Sequence, residues 1–211
     1  MKRHDLLAVG IIAVTVIMSL YFYRMLPEKM VSHWNFNDQP DDSMPKPWAL
    51  LIAPASSLFV YLLFKLVPRI DPLKANIKKF QQYYETFILI VLFILFYTQS
   101  IMILWNLGMR FSVQQAIIPP ISLLFFYIGV MLKKSKRNWF IGVRNPWTLS
   151  SDSVWDKVNK RGGIIFKLSA IALLLVPFLP GYGFILVIAF PLAGSVYLTA
   201  YSYFEYKRQK G

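Results

Sequence analysis

The sequence predicts an all-α protein, a polytopic integral membrane bundle of six transmembrane helices with a short amphipathic interfacial helix between helices 4 and 5. Three observations predict this class. Hydrophobic residues make up 56% of the 211 residues and charged residues only 16%, whereas a soluble domain usually carries about 25% charged residues. Long runs without any charge recur along the chain. The basic residues between these runs are concentrated in alternate connecting segments.

Four charge-free runs predict the first four spans, because the hydrocarbon core of a bilayer requires about 20 mostly apolar residues. An uncleaved first helix is expected, since no small-residue cleavage site follows it. The four runs are Leu6–Tyr23, Pro47–Phe64, Thr86–Met109 and Phe111–Leu132.

A fifth run, Leu168–Phe204, has 37 uncharged residues, too many for one helix. A helix rises about 1.5 Å per residue, and the core is about 30 Å thick. We therefore expect two helices, near Ile164–Leu179 and Phe184–Tyr203, joined by a tight hairpin. The turn is indicated by Pro177, Pro180, Gly181 and Gly183.

The charge distribution predicts the orientation in the cell membrane. The net charge is +13, and 19 of the 23 Lys and Arg residues lie on the side of the N-terminus if six spans are assumed. Positive residues favour the cytoplasmic side, so both termini are expected there. The basic side is expected to contact anionic membrane lipids. No nucleic-acid partner is expected, because the aromatic residues lie within or beside the spans rather than on a soluble face.

The loop from Met25 to Lys46 is acidic, although the protein as a whole is basic. The simplest interpretation is an interfacial loop with its tryptophan at the headgroup level. The alternative is a binding site. No metal is expected, because a single histidine and irregularly spaced acids make a poor ligand set. The candidate binding residues in this loop are His33, Trp34, Asn35, Asp38, Asp41 and Asp42.

The second informative segment is the basic loop 133–163. Ser151 is a good N-cap, and Val154, Trp155 and Val158 then fall on one helical face, which predicts a short interfacial helix over about 151–161. Gly162 and Gly163 are expected to end that helix. Arg144, in the turn before it, is a candidate ligand for a lipid phosphate, a helix C-terminus or a partner carboxylate. A connector that only fixes the packing of two spans is the alternative.

Residue chemistry gives no sign of an enzyme. We find no Ser–His–Asp pattern, zinc-protease motif or phosphate-binding glycine loop, so neither a catalytic residue nor a cofactor is expected. Apart from Lys167, the predicted span interiors hold no Asp, Glu, Lys, Arg or His, which counts against an ion-coupled pump. A lipid-handling or transport protein remains an alternative. The absence of cysteine excludes disulfides and a thiolate nucleophile.

Both loops carry a resemblance to a known family. Leu26-Pro27, followed by His33-Trp34-Asn35 and an acidic turn, resembles the N-terminal unit of the SdpI-type membrane proteins. The run from Asn138 to Trp155, with Ile-Gly-Val-Arg-Asn-Pro-Trp-Thr-Leu at its centre, resembles their C-terminal unit. Val143 and Asn145 depart conservatively from the usual family sequence, and Gln39-Pro40 replaces a glycine-containing turn.

The resemblance implies a six-helix protein, forming a single membrane domain, that protects its host from a membrane-active peptide toxin. It also implies signalling from the toxin to a cytoplasmic regulator. A sensor or scaffold that recruits a transcription regulator is the competing hypothesis. If the motifs mark a shared site, its inner positions are Asn138, Gly142, Arg144, Pro146, Trp147, Thr148 and Trp155.

Overall fold

A computed structural model describes residues 3–35, 37–179 and 183–210, with residues 183–187 described by their backbone alone. Within these ranges the chain forms helices and one short hairpin of strands. The elements in chain order are α1 (Arg3–Phe22), β1 (Lys29–Trp34), β2 (Pro40–Pro45), α2 (Lys46–Ile70), α3 (Lys74–Lys78), α4 (Gln81–Asn106), α5 (Val113–Lys134), α6 (Pro146–Ser150), α7 (Asp152–Leu175) and α8 (Gly183–Lys210).

Five helices in the described part of the chain are long and apolar enough to cross a membrane: α1, α2, α4, α5 and α7. The predicted sixth span corresponds to α8, which is 28 residues long, and the total of six stays a prediction. Pro177 lies in a short 3-10 turn, Val176–Phe178, after α7. Gly183 is the first residue of α8, and the other predicted turn positions, Pro180 and Gly181, fall outside the described residues.

One local prediction is wrong. Gly162 and Gly163 do not end an interfacial helix, because α7 continues through both of them to Leu175. No strand was predicted for the acidic loop, but β1 and β2 pair there in antiparallel register with Met30 opposite Met44. The register shifts between Val31 and Trp34, which marks a bulge.

The chain folds as two compact units, and the first comprises the residues up to Phe64 together with Ile88–Pro120. Leu26 and Met30 from the hairpin region pack with Ala49, Leu50 and Ile103 in its core. Three helices also meet there through polar groups. The buried Gln99 amide donates to Ser19 Oγ (3.2 Å), and Ser19 Oγ donates to the Leu50 carbonyl (3.2 Å).

The second unit comprises Lys65–Phe87 and the chain from Ile121 onward. Its core joins Val154 and Val158 of α7 to Leu198 of α8, with Val143 and Trp147 packed against them. The buried Ser122 hydroxyl on α5 also donates to the Ala170 carbonyl on α7 (2.5 Å). The apolar face predicted around Trp155 therefore packs inside this unit, and Trp155 itself is fully buried.

Candidate functional site

The β hairpin of the first unit is fixed to the end of α4 by one side chain. Asn106 accepts a hydrogen bond from the Val31 amide (2.8 Å) and donates one to the Val31 carbonyl (2.9 Å), as a neighbouring strand would. The outer edge of β1 is thereby paired at its centre. These two hydrogen bonds place the hairpin at a defined position on the helix.

The end of the hairpin is closed by Lys46, the first residue of α2. Its buried ammonium group donates to Glu28 Oε1 (2.8 Å) and to the Leu26 carbonyl (3.2 Å). It also lies 4.7 Å from the centre of the Tyr23 ring. A buried lysine requires such partners, since an unpaired charge there would be costly.

The acidic candidates of this loop do not form one cluster. Asp41 Oδ1 lies 2.5 Å from His33 Nδ1, and both side chains are substantially exposed. Asp42 accepts from the amide of its neighbour Ser43 (2.7 Å). Within the described residues, no group of three or more His, Cys, Asp or Glu side chains is placed to hold a metal ion.

Asn35 and Asp38 organise the turn between the strands. Asn35 Oδ1 accepts from the amides of Asn37 (2.9 Å) and Gln39 (3.1 Å), which is an Asx-type turn. Asp38 has a φ of 61°, and its Oδ1 accepts from the amide of Gln114 (3.1 Å). That amide belongs to the first turn of α5, where backbone donors lack helical partners and a negative charge is favoured. Asp38 therefore joins the hairpin to α5.

Trp34 is the aromatic anchor of the hairpin. Its ring meets Trp105 edge to face with centroids 5.4 Å apart, and Arg110 lies 4.0 Å above the Trp105 ring. The Arg110 guanidinium also donates to the Trp105 carbonyl (2.6 Å). The predicted residues His33, Asp41 and Asp42 thus form the exposed surface, while Trp34, Asn35 and Asp38 support it.

In the second unit, Asn138 organises the turn that precedes α6. It is fully buried, and its amide donates to the carbonyls of Lys136 and Ile141 (both 2.8 Å). Its Oδ1 accepts from the amides of Phe140 (2.9 Å) and Ile141 (2.6 Å). Both donor and both acceptor capacities of this side chain are used, so Asn138 is a structural residue.

Gly142 lies against the buried indole of Trp155. Its φ is 131°, and a Cβ atom there would lie 2.7 Å from Trp155 Cζ2 and 2.9 Å from Asn159 Oδ1. That oxygen accepts from the amide of Val143 (2.9 Å), and Trp155 Nε1 donates to the Ser135 carbonyl (3.3 Å). Only glycine fits this close approach of the turn to α7.

Three further motif positions, Pro146, Trp147 and Thr148, lie in the short helix α6. Asn145 and the buried Thr148 form a reciprocal capping box around an N-terminal Pro146, a residue whose fixed φ suits this place. Asn145 also donates to Ser202 Oγ (2.7 Å) on α8. Trp147 packs edge to face on Tyr203 with centroids 5.3 Å apart. These residues hold the turn against α8.

Unlike the buried Asn138 and Trp155, Arg144 has an exposed side chain. It folds back so that Nη1 donates to the Trp139 carbonyl (2.6 Å). Trp139 and Phe140 are themselves 51% and 37% exposed. The predicted inner site thus divides into a buried framework and a small exposed tip around Arg144.

Two buried carboxylates that were not among the predicted site residues hold this region together. Asp71, only 2% exposed, accepts from the amides of Leu73 (2.6 Å) and Trp139 (2.9 Å). Glu205 binds Lys157 and accepts from the Tyr201 hydroxyl (3.2 Å). The hydrogen bond from Lys157 lowers the pKa of Glu205 below its ordinary value. The sequence offered one clue to both residues, because Asp71 and Glu205 are isolated acids in segments otherwise rich in Lys and Arg.

Together, the apolar helices and the two ordered connecting segments define a multi-pass membrane protein. The model of the SdpI/YfhL protein family matches residues 134–202, and the model of a domain of unknown function (DUF1648) matches residues 10–58. The chain is 25% identical over 210 residues to "Immunity protein SdpI" of Bacillus subtilis (strain 168), covering 99% of each chain. The predicted resemblance to the SdpI family is confirmed. No solved structure matches the chain.

Proposed function

We propose that this protein is an SdpI-like membrane immunity protein that protects its host by binding or neutralising a membrane-active peptide toxin at the β hairpin. The observation that carries the proposal is the full-length similarity to an immunity protein. The structure adds two exposed acids, Asp41 and Asp42, on a hairpin that Asn106, Asp38 and Lys46 hold in place. A preformed acidic surface suits a cationic peptide, because little ordering is needed on binding.

A challenge experiment tests this function. Cells lacking the gene are exposed to the candidate cationic peptide and complemented with wild-type protein or with Asp41→Asn/Asp42→Asn. We expect the wild type to restore survival and the double variant to protect at least several-fold less. Asp152→Asn/Asp156→Asn is the matched control, since it also removes two carboxylates, here from the N-terminal part of α7. Equal survival with and without the wild-type gene would contradict the proposal.

The proposed orientation, with both termini in the cytoplasm, places the hairpin outside the cell and the turn around Arg144 inside. Because the sequence contains no cysteine, single cysteines can be labelled without background. Ser43→Cys should react with an impermeant maleimide in intact cells. Lys160→Cys should react only after permeabilisation. The reverse pattern would place the acidic hairpin in the cytoplasm and rule out an external toxin site.

Signalling to a cytoplasmic regulator is a second proposed function, supported by the ordered, exposed tip around Arg144. Trp155 is fully buried and is therefore a poor probe of such a contact. Crosslinking in native membranes should recover a soluble protein whose yield falls with Arg144→Gln. An unchanged yield, or no soluble partner, would count against this function.

A further inference from the structure

We propose that α3 and the turn before α6 together form a docking surface for anionic phospholipid headgroups. We call it the basic-aromatic surface and define it by Lys74, Lys78, Trp139, Phe140 and Arg144. Its lysines and Arg144 are exposed, as are both aromatic rings. The proposal goes beyond immunity, since lipid docking here requires neither a toxin nor a regulator.

Two hydrogen bonds bring these distant parts of the sequence together. Asp71, at the start of the α3 segment, accepts from the Trp139 amide (2.9 Å). Asn76, within α3, donates to the Arg137 carbonyl (2.9 Å). Ile77 and Phe80 are buried beneath the segment, while Lys74 and Lys78, one helical turn apart, remain exposed. The lysines therefore lie beside the turn that carries the aromatic rings.

The turn presents its exposed groups in a fixed arrangement. Asn138 bridges its backbone through four hydrogen bonds, and Gly142 seats it on the Trp155 ring. The bond from Arg144 Nη1 to the Trp139 carbonyl holds the guanidinium at the backbone of the residue that carries the exposed indole. A headgroup would thus meet a cation and an aromatic ring that are already in place, which lowers the entropic cost of binding.

The nearby acids are engaged by groups other than the cations of this surface. Both oxygens of Asp71 accept backbone hydrogen bonds in a buried position. Asp156 forms an ion pair with Lys136 (3.1 Å). Asp152 Oδ1 lies 2.7 Å from Arg137 Nε, although without hydrogen-bond geometry. Lys74, Lys78 and Arg144 are then left to face an external anion.

The combination of exposed tryptophan and phenylalanine with basic side chains favours a lipid surface over an acidic protein. Indole rings prefer the headgroup level of a bilayer, and Lys and Arg nearby bind anionic lipids. Exposed rings also give the surface apolar area that can enter the interface. The surface belongs to a chain with several helices suited to the membrane, so headgroups are its natural neighbours.

Fluorescence quenching tests the proposal with the full-length protein in non-ionic detergent. The mixed micelles contain dibrominated phosphatidylglycerol or dibrominated phosphatidylcholine, whose bromine atoms quench nearby tryptophans. The fluorescence of Trp139 is obtained by subtracting the emission of Trp139→Phe from that of the wild type. The test variant is Lys74→Gln/Lys78→Gln, which leaves the turn intact. The control is Lys160→Gln/Lys207→Gln, which removes the same charge from exposed positions on α7 and α8. Circular dichroism confirms that each variant is folded.

We expect phosphatidylglycerol to quench Trp139 at lower concentration than phosphatidylcholine. Removal of each basic residue should weaken this binding roughly fivefold, so the test variant should lose about 25-fold and the control less than twofold. Three results would overturn the proposal. One is equal quenching by both lipids, and another is an equal loss in test and control variants. The third is displacement of the lipid by a poly-glutamate peptide at lower concentration, which would indicate an acidic protein partner.

Discussion

Gly129 of α5 and Gly163 of α7 approach each other so closely that neither position has room for a Cβ atom. A Cβ on Gly163 would lie 2.6 Å from the Gly129 carbonyl oxygen, and a Cβ on Gly129 would lie 2.6 Å from the Gly163 carbonyl oxygen. The stems of Lys133 and Lys167, each four residues further along its helix, cover the partner glycine. Small residues at a helix crossing allow backbone contact that lipid cannot replace.

Gly129→Ala and Gly163→Ala should each destabilise the second unit, because the obstructing atom is backbone and cannot rotate away. Overpacking of this kind costs about 1–3 kcal/mol. Thermal unfolding in detergent measures the effect. Gly10→Ala is the control, since a Cβ there meets nothing within 4 Å, and alanine favours a helix by roughly 1 kcal/mol over glycine. A melting temperature unchanged by either crossing variant would show that the helices do not meet at these glycines.

The same crossing explains why one sequence prediction was wrong. Gly162-Gly163 resembles a helix stop, because glycine often follows the last turn of a helix. Here the local preference is overridden by packing, and the helix passes through both residues. A helix end and a helix crossing can be told apart here only by knowing that Gly129 of α5 faces Gly163. The local sequence around Gly163 does not contain that information.

Apolar run length, by contrast, allowed five helices to be predicted, because a bilayer imposes a minimum length on each span. The hairpin was missed because Pro40–Pro45 has few strand-forming residues. Its order comes from distant groups such as Asn106, which is 75 residues from Val31 in sequence. Arg144 in the exposed tip was singled out from the sequence, but the bond from the Trp139 amide to Asp71 was not, because 68 residues separate the two.

Gly142→Ala should destabilise the protein more than Gly108→Ala. Both glycines have a positive φ, 131° and 101°, so alanine is strained at either position. At Gly108 a Cβ meets nothing within 4 Å, whereas at Gly142 it would strike the Trp155 ring. We expect Gly108→Ala to lower the free energy of unfolding by about 1–2 kcal/mol through backbone strain. Gly142→Ala should lower it by about 1–3 kcal/mol more, because the added methyl group overpacks the site. Melting temperatures of the pair measure this, and equal losses would contradict it.

Asn106→Ala should loosen the hairpin without unfolding the helices. The substitution leaves the amide and carbonyl of Val31 without their partner, and an unsatisfied group costs about 1–3 kcal/mol. Hydrogen–deuterium exchange at residues 29–34 should therefore accelerate at least several-fold, while exchange in α2 stays unchanged. Asn37→Ala, at an exposed position in the turn, is the control. If both variants exchange like the wild type, Asn106 does not secure the hairpin.

The pair of Glu205 and Lys157 should make the stability of the second unit depend on acidity. The pKa of Glu205 is lowered in the folded protein, chiefly by the hydrogen bond from Lys157. A carboxylate of this kind stabilises the fold fully above its unfolded pKa of about 4.3, and the contribution is lost as the pH falls through the folded value. The melting temperature of the wild type should therefore drop further between about pH 5 and roughly pH 3 than that of Glu205→Gln. Tyr201→Phe removes only the second bond to Glu205 and should retain most of the wild-type drop. Parallel pH profiles for wild type and Glu205→Gln would show that this ion pair does not stabilise the junction of α7 and α8.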